Sequence, residues 1–301
     1  MKFVATIISD DKFPLNQSEI NYIVDMLQHN NAAVEDVKIL AENKACDIYF
    51  SYLKANEARE ILFELLKNVP IDFIVQGIEG RKKKLFISDM DSTIINQECI
   101  DEIADCLGLK DKISAITEKA MNGELDFKSA LRERVALLKG LQESELQKVF
   151  DSKITLMKGA KTLVQTMKNN GTKCVLVSGG FTFFTSRVRD LCGFDIDESN
   201  ILEIENGKLK GSVKEPILDS ASKLNALNFY CEELKISNFM ALAVGDGAND
   251  IPMIKNAGLG IAFHAKQKVR NETTHHINIP DLTHLLYAQG YKKSEFFEEH
   301  C

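Results

Sequence analysis

No CxxC pair occurs among the seven cysteines of this 301-residue chain, and their number is odd. Neither a disulfide framework nor a thiolate zinc site is therefore indicated. Several cysteines sit inside apolar stretches, as Cys174 does in KCVLV, where the thiol serves as a small hydrophobe and a reducing compartment is expected. No stretch approaches the roughly 20 apolar residues of a membrane span. The opening MKFVATIISD meets acidic residues at once, too soon for a signal peptide, so the expected location is the cytoplasm. An excess of basic residues is also lacking. The net charge is -7 and the pI is near 5.5, which argues against a nucleic-acid partner. The longest basic run, Arg81-Lys82-Lys83-Lys84, reads as a solvated linker ahead of a strand. No internal repeat and no low-complexity segment is found. What is present is 45% hydrophobic residues, enough for a core of ordinary size in one large domain, or a medium domain plus a small one.

Two textures follow one another. Up to about residue 80, predicted strands at Phe3–Ser9, Val37–Leu40, Cys46–Tyr52 and Ile71–Val75 alternate with helical stripes at Gln17–His29 and Ala55–Lys67. The order βαββαβ predicts a small α+β domain of ferredoxin-like type over residues 1–80. From Lys84 the pattern becomes α/β. Short apolar runs at Leu85–Ser88, Cys174–Val177, Met240–Val244 and Leu259–Phe263 suit strands covered on both faces, each followed by a Gly, Ser or Asp cluster and a helix. A doubly wound parallel sheet is expected over 81–291, followed by a tail at 292–301. The helical stretch between the first two of these strands is too long for a crossover, so about 96–152 reads as an inserted helical cap. An Asn-Gly turn at 206–207 marks a hairpin.

Ligands of open parallel sheets collect at the carboxyl ends of the strands. One run leads into Asp89-Met90-Asp91-Ser92-Thr93, a second into Ser178-Gly179-Gly180-Phe181, a third into Gly245-Asp246-Gly247-Ala248-Asn249-Asp250. Two aspartates one residue apart can face the same space. Crowded carboxylates push one pKa up while a metal holds another ionised, dividing the pair into nucleophile and acid; taken alone, they serve equally well as caps of a turn. Asp246, Asn249 and Asp250 offer hard oxygens without histidine or thiolate, a set that suits Mg²⁺. A phosphate dianion beside several carboxylates requires such a cation, and Lys223 can add a further positive charge. Ser178-Gly179-Gly180 suits a phosphate cradle formed by a hydroxyl and backbone N–H groups opening a helix.

In this order the clusters resemble the haloacid dehalogenase-like phosphatases, over roughly residues 85–263. Within that superfamily the chain is similar to the phosphoserine phosphatases, through DMDST with Glu98 in NQECIDEIA, SGGF, GDGANDIPM, and an insert carrying Met121 to Phe127 and Leu131 to Leu138. The resemblance implies a Mg²⁺-dependent phosphoric monoester hydrolase acting on O-phosphoserine in the last step of serine biosynthesis. Asp89 would be the nucleophile and Asp91 the general acid and base. The metal would be held by the Asp89 and Asp246 side chains and the Asp91 carbonyl, supported by Asp250. Ser178, Gly179, Lys223 and Asn249 would hold phosphate. Glu98 would accept from the substrate ammonium, Arg134 would grip its carboxylate, and Met121 and Phe127 would pack over it. A sibling enzyme acting on phosphohomoserine, by hydrolysis or phosphotransfer, and a non-catalytic amino-acid sensor are the alternatives. The first module resembles the ACT-like domains attached to some bacterial phosphoserine phosphatases. Its first strand-to-helix loop, Ser9 to Pro14, lacks the glycine common in amino-acid-binding ACT domains, so serine sensing, a homodimer contact and a structural role stay open.

Overall fold

A computed structural model describes residues 2–121 and 125–298, without the side chains of 118, 120 and 121. The chain opens with β1 (Phe3–Ser9), α1 (Gln17–His29), β2 (Ala33–Ala41), β3 (Ala45–Ser51), α2 (Ala55–Leu66) and β4 (Ile71–Gly77). These strands form an antiparallel sheet in the order β2-β3-β1-β4, the ferredoxin-like arrangement expected from the sequence. The start of α1 is set locally. The Asn16 side chain accepts from the Ser18 and Glu19 amides while the Glu19 carboxylate accepts from the Asn16 amide, a reciprocal cap. Its stripe of Ile20, Ile23 and Leu27 is buried.

The second part runs β5 (Leu85–Ser88), α3 (Cys99–Cys106), α4 (Lys110–Met121), α5 (Phe127–Ala136), α6 (Glu143–Lys153), α7 (Ala160–Asn169), β6 (Lys173–Phe181), α8 (Thr182–Cys192), β7 (Ile196–Asn200), β8 (Leu202–Glu205) and β9 (Lys208–Val213). It continues through α9 (Ser220–Glu233), β10 (Ala241–Gly245), α10 (Ile251–Asn256), β11 (Leu259–Phe263), α11 (Gln267–Glu272), β12 (His275–Ile277) and α12 (His284–Ala288). Six strands form a parallel sheet in the order β12-β11-β10-β5-β6-β7. Alternate residues feed separate cores on its two faces. Phe86, Leu176 and Val244 pack with Leu163 and Phe184 of α7 and α8, whereas Ile87, Val177 and Ala243 pack with Leu227 and Tyr230 of α9. Each fully buried large aliphatic side chain contributes about 1.5–3 kcal/mol. This double coverage explains why the strands read as continuous apolar runs. No helix among the described residues is long and apolar enough to cross a membrane.

Helices α3 to α6 lie over the carboxyl ends of these strands. They leave and rejoin the sheet through a narrow neck, in which the Asn96 amide donates to the Thr155 carbonyl at 3.0 Å and the Met157 amide to the Ile94 carbonyl at 2.8 Å. The hairpin β8–β9 turns at Asn206 and Gly207, both in the left-handed region, as a two-residue hairpin turn of its twist requires. It belongs with the inserted helices, since the Gly140 amide donates to the Leu209 carbonyl and the Leu209 amide to the Leu141 carbonyl, both at 2.8 Å.

The basic run before β5 is not a solvated linker throughout, contrary to its sequence reading. Arg81 is buried between the first sheet and α12, where its guanidinium grips both Asp47 oxygens at 2.7 and 2.9 Å and the Thr6 hydroxyl at 2.9 Å, and donates to the Tyr287 and Ala288 carbonyls. Lys83 is buried too, donating to the Phe239 carbonyl at 2.9 Å. Fixed acceptors far away in the chain, across the junction for Arg81 and beside β10 for Lys83, draw these two cations inward and are invisible in a local charge pattern. Nearby, Asp72 of β4 accepts from the Asn278 and Ile279 amides at 2.9 and 3.0 Å, and His275 Nε2 lies 3.0 Å from the Val75 carbonyl. Residues 292–298 are docked as well, the Phe297 amide donating to the Thr166 hydroxyl at 2.8 Å.

Candidate active site

At the end of β5 the Asp89 amide still donates to the Val244 carbonyl of β10, at 3.0 Å. The chain then folds back on itself, with the Met90 carbonyl accepting from the amides of Thr93, Ile94 and Ile95 and Ser92 in the left-handed region. Met90 points into the core, so Asp89 and Asp91, on either side of it, both border one cavity. Asp91 Oδ1 accepts from the Cys99 amide at 3.1 Å, which ties it to the first cap helix. Gly180 allows the end of β6 to come close. A Cβ there would lie 2.9 Å from Asp91 Oδ2 and 3.1 Å from the Ser178 hydroxyl oxygen.

Lys223, on α9, is the cation of this cluster. Its Nζ lies 2.7 Å from Asp89 Oδ1 and 2.6 Å from Asp250 Oδ1, and the side chain is 2% exposed. The other Asp250 oxygen accepts from the Gly247 amide at 3.0 Å. Gly245 leaves the room that Asp250 takes, since a Cβ on it would lie 2.3 Å from Asp250 Cγ. Carboxylate oxygens of Asp89, Asp246 and Asp250 all lie within 4.8 Å of one another. With both Asp250 oxygens engaged, Asp89 and Asp246 are the carboxylates left to face a cation.

The electrostatics point the same way. Burial, then the Asp250 charge, pushes the Asp89 carboxyl well above the usual range, against the pull of Lys223. Burial and Asp250 raise Asp246 to about 7, and burial and Glu98 raise Asp91 to about 7. Burial opposes the Lys223 charge, yet Asp250 and Asp89 carry its pKa above the ordinary lysine value. Lys223 is in direct contact with Asp89 and Asp250, Lys266 acts on Asp246 only from a distance, and the cluster stays short of positive charge. Hard oxygen donors, close together and without thiolate or imidazole, fit a divalent metal ion.

The cavity measures about 590 Å³ and runs from this cluster to the underside of the cap. Asp89, Asp91, Glu98, Arg134, Ser178, Gly179, Asp246 and Asn249 all border it, whereas Lys223 lies just behind, reaching it through Asp89. Phe127 covers Gly179 so closely that a Cβ on the glycine would lie 3.1 Å from Phe127 Cζ. Glu98 is exposed at the start of α3 and accepts from the Ser92 hydroxyl at 2.8 Å. Arg134 is half-buried, which lowers its pKa against the pull of Asp101 and Glu98, and its Nε donates to the Ala130 carbonyl at 3.3 Å. The Met121 side chain lies outside the described residues. Contrary to the expectation from the sequence, Ser178-Gly179-Gly180 does not open the helix: β6 continues through Phe181 and α8 begins at Thr182. Asn200 holds this extension by donating from Nδ2 to the Gly179 carbonyl at 2.9 Å. Sequence reasoning passed over Ser220, Lys266 and Lys268, which also border the cavity. For the two lysines a signal existed: they follow the predicted strand Leu259–Phe263, at the end of the sheet where ligands gather.

Sheet, cap and carboxylate cluster together define a haloacid dehalogenase-like hydrolase, and the model of that family matches residues 83–258. The chain belongs to this family, in the branch of the phosphoserine phosphatases. It is 34% identical over 307 aligned residues to the phosphoserine phosphatase of Saccharomyces cerevisiae, with 98% of each chain covered. It is 50% identical over 208 residues to that of a Polaromonas species, covering 67% of this chain and 88% of the relative. A solved substrate-bound phosphoserine phosphatase complex superposes with a TM-score of 0.64 at 38% identity, over 68% of this chain and 97% of the other.

Proposed function

We propose that this enzyme hydrolyses O-phosphoserine to serine and inorganic phosphate by way of a phosphoryl group carried on Asp89, closing serine biosynthesis. The observation that carries this reading is the meeting of Asp89 and Asp246, backed by Lys223, at the floor of one cavity whose roof presents Glu98 and Arg134. The Asp89 and Asp246 carboxylates and the Asp91 carbonyl would hold the cation, Mg²⁺ in this reading, which would screen the attacking carboxylate from the phosphate and offset charge on the phosphoryl oxygens. Lys223 orients Asp89 and favours its ionised form, against the burial and the Asp250 charge that raise its pKa. Asp89 attacks phosphorus in line, the bond from phosphorus to the serine oxygen breaks, and Asp91 gives that oxygen its proton. A carboxyl raised to about 7 can carry a proton at neutral pH. Asp91 then takes a proton from water as the water oxygen attacks phosphorus, freeing phosphate and restoring the Asp89 carboxylate. Ser178, Gly179 and Asn249 hold the phosphoryl oxygens, and Asp250 supports the site through Lys223.

At the roof, Glu98 accepts from the substrate ammonium and Arg134 pairs with its carboxylate. Arg134→Ala is expected to raise KM for phosphoserine about 10- to 100-fold, as the loss of a charged hydrogen-bonded pair implies. KM for p-nitrophenyl phosphate, which lacks the carboxylate, should change less than about twofold. Equal effects on both substrates would remove Arg134 from recognition. The wider reading is tested on a panel of phosphoserine, phosphohomoserine and p-nitrophenyl phosphate, with Mg²⁺ and with EDTA. Phosphate should be released fastest from phosphoserine, and EDTA should abolish its release from all three; turnover that survives EDTA would overturn the metal assignment. In domain terms, residues 1–80 form an ACT-like module and 81–291 the phosphatase, with its cap at about 96–152. The described cysteines are free thiols, in keeping with a cytoplasmic setting.

A further inference from the structure

The loop after β11 is a strand end to which the reaction assigns no task. His264, directly after the strand, sits at φ +45°, a left-handed conformation that costs a non-glycine residue about 1 kcal/mol or more. The turn is pinned on both sides of the strain: the His264 amide donates to the Ile277 carbonyl at 2.7 Å, and Ala265 is buried. The chain then emerges with Lys266 and Lys268 on the border of the active-site cavity, both exposed. Among the described residues neither makes an ion pair, in contrast to Lys223, which is committed to Asp89 and Asp250. Apart from these two lysines, the same cavity is walled, among the described residues, by four acids, Asp89, Asp91, Glu98 and Asp246, against one cation, the half-buried Arg134, in a chain of net charge -7. A phosphate monoester near charge minus two meets an unfavourable field on its way in. Two ammonium groups without a close partner stand on flexible stems at the mouth, Lys266 already opposing the Asp246 charge from a distance, and they reverse that field where the anion must pass.

We propose that Lys266, with Lys268 beside it, captures the phosphate group of the incoming substrate at the cavity mouth and so sets the rate of productive encounter. This rests on the reading that the substrate is a phosphate monoester, whichever monoester that is. Both lysines are positioning residues, acting before the chemical step. Charges on the rim of a site act on association and on its salt dependence more than on later steps, and exposed charges are screened over a Debye length of about 10 Å at 0.1 M salt.

The test compares the full-length Mg²⁺-loaded enzyme with the double variants Lys266→Met/Lys268→Met and Lys266→Arg/Lys268→Arg. At low ionic strength the methionine pair is expected to lower kcat/KM for phosphoserine about 5- to 10-fold, with a smaller change in kcat. Its kcat/KM should also lose most of the decline that added salt causes in the wild type. The arginine pair should stay within about twofold of wild type. Inorganic phosphate, titrated calorimetrically into each protein, should bind the methionine pair about 5- to 10-fold more weakly. The proposal is overturned if the methionine pair keeps the wild-type salt dependence and phosphate affinity, if kcat falls as far as kcat/KM, or if the arginine pair is equally impaired. Should the wild type hydrolyse p-nitrophenyl phosphate but not phosphoserine, the substrate assignment fails on its own; the same comparison run with p-nitrophenyl phosphate still decides the role of the lysines.

Discussion

Replacing Asp89 by asparagine should lower kcat by at least about 10⁴-fold, because the amide cannot accept the phosphoryl group. The protein should fold as before. Asparagine has almost the same shape, the backbone bond from residue 89 to the Val244 carbonyl is untouched, and Lys223 keeps Asp250 as its partner. Removing one of three crowded carboxylates also relieves repulsion among them, so the melting temperature without metal is expected to equal or exceed that of the wild type. Steady-state phosphate release and a thermal melt in EDTA check both halves. Undiminished turnover by a folded variant would take the nucleophile away from Asp89.

Lys223→Met should be the more damaging change overall. The lysine is the buried partner of both Asp89 and Asp250, and removing one member of such a cluster typically costs about 3–5 kcal/mol, since the remaining charges stay desolvated without a counter-charge. Turnover should fall by about 10²–10³-fold as well, the usual loss when a fixed positive group at a reacting centre is removed. The two losses separate under Mg²⁺. A cation bound at the same carboxylates stabilises only the folded state, so urea unfolding of the variant should recover a few kcal/mol at saturating metal, on the order of 2.7 kcal/mol at a hundred times Kd. Activity should recover little, because the ammonium that holds Asp89 in place is still missing. Stability within about 1 kcal/mol of wild type in EDTA would show that the cluster does not depend on this lysine.

The fold was legible in the sequence where the physics is local. A strand covered on both faces must be apolar throughout, and Leu85–Ser88 and Leu259–Phe263 have the bounds that their runs predict. Strands at the margins of the parallel sheet were not legible. β7 has the sequence IDESN, which carries no apolar signal, because its acids are satisfied by partners from elsewhere: Asp197 by Arg189 and Thr185, Glu198 by Tyr230. β12 is three residues long and contains two histidines, and only its register against β11 makes it a strand. Much the same division runs through the site. Aspartates and glycines at strand ends stand out because close backbone approach and metal-type oxygen clusters need those residue types. By contrast, Lys266, Lys268 and Ser220 belong to no compact motif, and only the folding of separate loops around one space brings them together. Arg81 was misread because its partners Asp47 and Thr6 lie far away in the chain.

The junction built on Arg81 and Asp72 bears on how this chain could be shortened. In the six-stranded sheet β12 is terminal, and β4 of the first module is what shields its flank, through the Asp72 carboxylate on the Asn278 and Ile279 amides and the Val75 carbonyl on His275. A phosphatase half produced by scission between Gly77 and Leu85 would bare that flank, stranding amides that an aspartate now satisfies and offering a template for pairing with other molecules. Clumping rather than lost chemistry would then be the first symptom of truncation, and the small module acts as a fitted cover whatever else it binds.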